Sequence, residues 1–279
     1  MRLIDTHCHI QSAGASEREA GEHSTLSKWD TVPERTGSLI VQDAAQAGVT
    51  KMVCVGCDLE DSQQAVRFVV ANPECYASIG IHPHEAERYA GNQASLDAFA
   101  ALATADRVVA VGECGLDYFY GHSPQADQAE ILRFQIGLAL EHNLPMIFHV
   151  REAFDDFWPI FDSYSSAVAQ NPIRGVLHSF TDTTANLDKA IERGLHIGVN
   201  GIATFAKDPK QLEMYKNIPL SRLLLETDAP FLTPSPYRGT ICEPYHTKVI
   251  AEFLGNLRDE PLAELVEATT ENAEKLFKI

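Results

Sequence analysis

The sequence predicts an α/β protein, a single (β/α)8 barrel of the TIM type. Short β-branched apolar runs alternate with longer segments of helical period, the pattern of βαβ units around a parallel sheet. Eight such runs occur, at 3–6, 51–55, 75–79, 107–112, 145–149, 174–178, 195–199 and 222–226. The length of 279 residues suits one barrel of about 250 residues, so residues 1–279 are read as one domain.

The first run ends in Asp5-Thr6-His7-Cys8-His9 and is followed by a polar stretch, 11–37, rich in Gly, Ser and Glu. That stretch exceeds the usual 2–6 residue connection and is an inserted loop, either a lid or a passive excursion on the C-terminal rim. The second run carries Cys54-Val55-Gly56-Cys57, which lacks a second C-x-x-C and reads as packing rather than zinc or redox chemistry. Apolar residues three or four apart then mark helices around Ala65–Val70, Leu96–Leu102 and Ile131–Leu140, each laid on the sheet. Leu262–Phe277 has the same spacing and closes the chain as a final helix whose acids form a solvated face.

Lys plus Arg number 22 against 39 Asp plus Glu, a formal charge of -17. Such a chain is a poor general polyanion binder or membrane-surface protein, so any nucleic-acid contact must be local. No apolar run reaches the ~18–20 residues of a membrane span, and the first residues lack a signal-peptide core. Six scattered cysteines indicate reduced thiols. The expectation is a soluble cytoplasmic protein, with a monomer favoured and no organic cofactor required.

The chemistry lies at the strand ends. Strand side chains alternate faces, so His7 and His9 point the same way and converge. Glu113, His149, His178 and Asp228 stand where strands 4, 5, 6 and 8 end. Ionisable groups on apolar strand ends are costly unless paired or coordinated, and in a barrel those ends meet at one face. Four imidazoles and two carboxylates exceed what one tetrahedral zinc takes, which points to two divalent ions if a carboxylate bridges. The ligand set suits Zn, Mn, Co or, less well, Mg and does not name the ion.

These segments resemble the TatD family of metal-dependent deoxyribonucleases, within the amidohydrolase-like barrels. The resemblance rests on Asp5-Thr6-His7-Cys8-His9, Gly80-Ile81-His82-Pro83-His84, Gly112-Glu113-Cys114-Gly115-Leu116-Asp117, Phe148-His149-Val150-Arg151, Leu177-His178-Ser179-Phe180 and Glu226-Thr227-Asp228-Ala229-Pro230, in that order. It implies that His7, His9 and Asp228 hold one metal, that His149 and His178 hold the second, and that Glu113 spans both. It further implies cleavage of DNA phosphodiesters by metal-activated water, of the 3′–5′ exonuclease type.

Asp228 is the candidate to take the water proton. Glu226, two residues earlier, shares proton handling or, slightly favoured, supports a ligand by hydrogen bonding. His82, His84, Arg151, Tyr237 and Arg238 are candidate substrate contacts, with Lys207 and Lys210 behind them. Phe119, Tyr120 and Phe205 could stack on a base, but burial is the safer expectation.

Three departures from the family pattern leave every ligand in place: Asp182 in the loop after His178, Cys242 before Glu243-Pro244, and the 11–37 stretch. Two other readings stand beside the nuclease. One is a hydrolase of a small ester, lactone or amide on the same barrel, which the acidity and Asp182 favour. The other is a non-catalytic metal-binding scaffold, against which the complete ligand set argues.

Overall fold

The computed structural model describes residues 1–14, 28–165 and 172–279. Eight strands follow in sequence order: β1 (Leu3–Cys8), β2 (Val49–Val55), β3 (Cys75–Ile79), β4 (Val108–Asp117), β5 (Met146–Arg151), β6 (Gly175–Leu177), β7 (His196–Val199) and β8 (Leu223–Leu225). Each pairs in parallel with the next. The sheet closes where Cys8 bridges Ala229 and Thr6 Oγ1 donates to Leu225 O at 3.0 Å. The amides of His9 and Asp228 complete that seam, donating to Ala229 O (2.7 Å) and His7 O (2.8 Å).

All eight expected strands are present; most ends move by one or two residues, and β4 moves furthest. β4 runs on to Asp117, so Glu113 lies inside it rather than after it. The reason is β5: after a bulge between Val111 and Cys114, pairing resumes from Cys114–Phe148 to Asp117–Arg151. A second bulge falls between Asp5 and Cys8 in β1. Bulges re-aim side chains, and these two lie beside His7 and Glu113.

Helices α1 (Gly37–Gln46), α2 (Leu59–Ala71), α3 (Ala86–Tyr89) with α4 (Gln93–Ala100), α5 (Gln125–Glu141), α6 (Phe154–Ser165), α7 (Thr184–Glu192) and α8 (Pro209–Asn217) fill the successive crossovers, and α9 (Thr247–Arg258) follows β8. α10 (Leu262–Phe277) ends the chain over the span expected. Ile4, Val53, Ala110, Ile147, Val176 and Leu224 cluster with Leu276 and Phe277 of α10, an apolar barrel interior plugged from below. One face of each outer helix packs on the other side of the strands, as where Phe148 meets Phe157 and Phe161 of α6. Among the described residues no helix is long and apolar enough to cross a membrane.

Of the 11–37 stretch, residues 15–27 lie outside the described residues. Its near end makes a single 3-10 turn, Ile10–Ser12. Its far end is pinned: Trp29 is buried and Arg35 makes a bidentate pair with Glu243. All six cysteines are free.

Candidate metal centre

The six expected ligands gather at the C-terminal mouth of the barrel. The two oxygens of Glu113 face different partners. Oε2 lies 3.5 Å from His7 Nε2. Oε1 lies 2.8 Å from His149 Nδ1 and 3.7 Å from His178 Nε2. Asp228 Oδ1 stands 3.3 Å from His9 Nε2, 3.5 Å from His7 Nε2 and 3.9 Å from His178 Nε2. The His7 and His9 Nε2 atoms are 3.2 Å apart, and the His7 and His178 rings stack at 3.6 Å.

His82, expected among the substrate contacts, lies inside this cluster, with its Nε2 3.6 Å from Glu113 Oε1. Among the described residues four sets of donor atoms each fall within 4.8 Å of one another: His7, His9 and Glu113; His7, His178 and Asp228; His82, Glu113 and His149; and, at the edge of the cluster, His9, Cys57 and Asp61. Lone pairs of buried imidazoles and carboxylates aimed at one another repel unless positive charge sits between them. The donor set therefore fits divalent cations of the zinc–manganese class.

Three of the clustered histidines meet a partner through their second nitrogen, whereas His7 Nδ1 is buried without one. His9 Nδ1 donates to Val55 O at 2.8 Å. His178 Nδ1 lies 2.9 Å from Glu226 Oε1, which also accepts from Ser179 N at 2.7 Å. Glu226 is fully buried, and this geometry fits support of His178 rather than contact with a substrate. His149 Nε2 meets Asp117 Oδ2 at 2.9 Å, and His84 Nε2 lies 3.1 Å from the same oxygen.

Asp117 lies in the motif Gly112–Asp117, and nothing in the sequence alone gives it a role. Two glutamines on one face of α5 support this region: Gln128 bonds both N and O of Asp117, and Gln135 both N and O of Ile81, next to His82. The available signal was a pair of amides, seven residues apart, inside an otherwise apolar helical stripe.

Burial works against charge here, and neighbours decide the outcome. Burial pushes the Glu113 carboxyl up, but the histidines His82, His178, His149 and His7 bring it well below the usual carboxylate range. Asp117 is likewise held ionised against burial by His149, His84 and the Tyr120 amide. Burial pulls His149 down, yet Asp117 and Glu113 raise it to about 9. His178 also reaches about 9 against burial, through Glu226, Glu113 and Asp228. Below the mouth, burial pushes Asp5 up to about 8 despite bonds from Thr227 and the His7 amide.

In the metal-free protein these two histidines contribute stability in full below their ordinary value of 6.5, and that contribution is lost as pH rises through about 9. A metal bound at these two rings would have to displace their protons. Titration of Zn²⁺ into the metal-free protein at pH 7, in buffers of different ionisation enthalpy, is expected to show proton release and an affinity that climbs toward pH 9. Binding without proton release would contradict this charge state.

The substrate-contact candidates sit on the surrounding loops. Arg151 is exposed, its guanidinium 4.0 Å from the Phe119 ring centre and 4.8 Å from that of Tyr120. Arg238 lies 3.9 Å over Phe205 and donates to Thr233 O, beside half-exposed Tyr237. Lys207 and Lys210 are exposed. The expected burial of Phe119 and Tyr120 is corrected: both are about half exposed, because Asp117 Oδ1 accepts from both their amides and turns the chain outward after β4. Phe205 is partly buried. Asp182 is engaged at the start of α7, where its Oδ1 accepts from Thr183 N and Asn186 Nδ2.

The returning end of the long loop reaches the centre through Trp29, whose Nε1 donates to His9 O at 2.8 Å. Trp29→Phe removes that bond and is expected to cost about 1 kcal/mol and to loosen metal on the His9 side of the candidate centre. Thermal melts and metal retention on dialysis check this, and no change in either would remove Trp29 from the support of the site.

Comparison with known proteins points to one family. The family described as TatD related DNase matches residues 4–278. An uncharacterized metal-dependent hydrolase, YabD of Bacillus subtilis, is 34% identical over 277 residues, covering 99% of each chain. The 3′-5′ ssDNA/RNA exonuclease TatD of Citrobacter rodentium is 35% identical over 245 residues, 86% of this chain and 91% of its own. The crystal structure of YJJV, a TatD homolog from Escherichia coli, superposes with a TM-score of 0.84 at 28% identity, covering 100% of this chain and 98% of that one. A barrel with imidazoles and carboxylates gathered at its mouth, matched along nearly its whole length, belongs to the TatD family of metal-dependent DNases, hydrolases of phosphodiester bonds.

Proposed function

We propose that this chain is a two-metal 3′–5′ exonuclease of single-stranded DNA, with RNA as a second substrate, acting in the cytoplasm as one catalytic unit over residues 1–279. The observation that carries the two-metal reading is Glu113, whose Oε2 faces His7 while Oε1 faces His149, His82 and His178. In this reading His7, His9 and Asp228 hold one ion, His149 and His178 the other, with Glu113 between them and His82 at the edge of the second. Bound divalent ions would supply Lewis acidity and neutralise charge on the phosphoryl oxygens.

The chain's own groups do the remaining work. Asp228 is held ionised against its burial by His9, His178 and His7, so its carboxylate can take the proton of the attacking water. Glu226 and Asp117 lock the rings of His178 and His149. His84, Arg151, Tyr237 and Arg238 receive the nucleotide on the loops. The polarity and the preference for single strands follow the named exonuclease relatives.

The test is a metal titration of chelated protein against a 5′-labelled single-stranded oligonucleotide, its duplex, and chromogenic phosphodiester and carboxylic-ester substrates. A ladder shortening from the 3′ end, absent before metal is added, is expected. Ester turnover without nucleotide release would replace the nuclease by a small-molecule hydrolase, and silence with tightly held metal would leave a scaffold.

A further inference from the structure

Phe119 and Tyr120 stand out among the aromatic side chains of the barrel. They are 51% and 53% exposed, adjacent in sequence, and set edge to face at 4.8 Å. An exposed aromatic pair loses apolar burial and is retained where it meets something. These two rings follow directly on β4, the strand that carries Glu113.

One carboxylate ties them to the metal centre. Asp117 Oδ1 accepts from the Phe119 and Tyr120 amides at 3.0 Å each, while its Oδ2 lies 2.9 Å from His149 Nε2. Ring contacts mark a short path: Tyr120 to His84 at 5.4 Å, His84 to His82 at 4.3 Å, and His82 to His149 at 4.6 Å. His149 and the turn that holds the aromatic pair thus share one carboxylate.

Arg151 supplies the other half of a nucleotide's chemistry. Its guanidinium stands over both rings, and its Nη1 is 3.5 Å from Tyr120 OH. It lies two residues beyond His149 on β5, where Arg151 pairs with Asp117 of β4. A π-face beside a cation matches a base joined to a phosphate. In a chain of net charge -17, a local device of this kind is what lets a polyanion approach.

We infer that Phe119, Tyr120 and Arg151 form a nucleotide subsite, in which the base of the nucleotide next to the reacting phosphodiester stacks on the aromatic pair and the adjoining phosphate lies against Arg151. The inference rests on the nuclease reading above and assigns residues to its substrate class. Stacking requires an unpaired base and uses a π-face that every base has. The subsite therefore admits single strands, reads no sequence, and does not exclude RNA.

The test crosses the Phe119→Ala/Tyr120→Ala double variant with an oligonucleotide that carries an abasic analogue at the penultimate 3′ position. Both changes remove exposed groups, and the Asp117 bonds to the two backbone amides survive them, so the fold is kept. With intact substrate, KM is expected to rise about tenfold or more, with kcat changed far less. The abasic substrate should cost wild type a similar factor and cost the double variant little more. A phosphorothioate-capped oligonucleotide with 2-aminopurine at that position should lose fluorescence on binding wild type but not the double variant. Tyr120→Phe should restore quenching when built on the otherwise intact pair.

Equal KM for wild type and the double variant, or additive effects of ring and base, would overturn the subsite while leaving the nuclease intact. Failure of wild type to release nucleotides at all would instead overturn the nuclease reading, and the subsite with it.

Discussion

Glu113→Gln is expected to lower metal content on both sides of the centre at once, to less than one equivalent per chain, with nucleotide release falling by at least about a thousandfold. The amide has one acceptor oxygen and no charge, whereas the carboxylate presents Oε2 to His7 and Oε1 to His149, His82 and His178. Outer-shell partners alone are worth about 10- to 100-fold in metal affinity or activity, and a group reaching both halves must exceed that. Elemental analysis after dialysis, beside a rate on single-stranded oligonucleotide, checks the prediction. Two full equivalents in this variant would rule out the bridging role.

Asp228→Asn carries the second large effect. Asp228 sits at a φ of 63, a left-handed conformation that Asn tolerates nearly as well as Asp, so the backbone has no reason to move. The substitution removes the proposed proton acceptor and one anionic group near His7 and His9. A loss of about 10²–10⁴ in kcat is expected, with a melting temperature close to wild type. Asp228→Ala should lose activity similarly and also melt lower, because Ala resists that φ. If Asp228→Asn keeps nucleotide release within a few-fold of wild type, Asp228 does not take the proton.

The barrel was legible because its signals are local. Apolar runs such as Met52–Val55 and Leu223–Leu225 announce strands by composition, and Leu262–Phe277 announces a helix by period. The ligands were legible for a related reason: a histidine or carboxylate that ends an apolar strand has few inexpensive explanations, and closure of the barrel gathers those ends.

What the sequence did not show depends on contacts between distant segments. Trp29 reads as one apolar residue in a polar loop until its indole is seen against His9 O. Gln128 and Gln135 are two amides in an apolar stripe with no visible purpose until they are found on Asp117 and Ile81. Phe119 and Tyr120 were expected in the core because aromatic residues usually bury. The Asp117 turn that exposes them is a three-residue hydrogen-bonding event with no periodic signature.

The amino-acid sequence by itself determined the eight-stranded barrel, the six candidate ligands that cluster and the family, since each is written in residue type and spacing along the chain. Only the tertiary structure decided that Glu113 turns its two oxygens to different histidines, that His82 joins the cluster, that Glu226 and Asp117 orient imidazoles, and that an aromatic pair stands exposed beside Arg151. The physical reason is distance. Strand and helix patterns arise from neighbours a few residues apart, whereas the direction of a carboxylate oxygen or the exposure of a ring is set by side chains that closure of the barrel brings together.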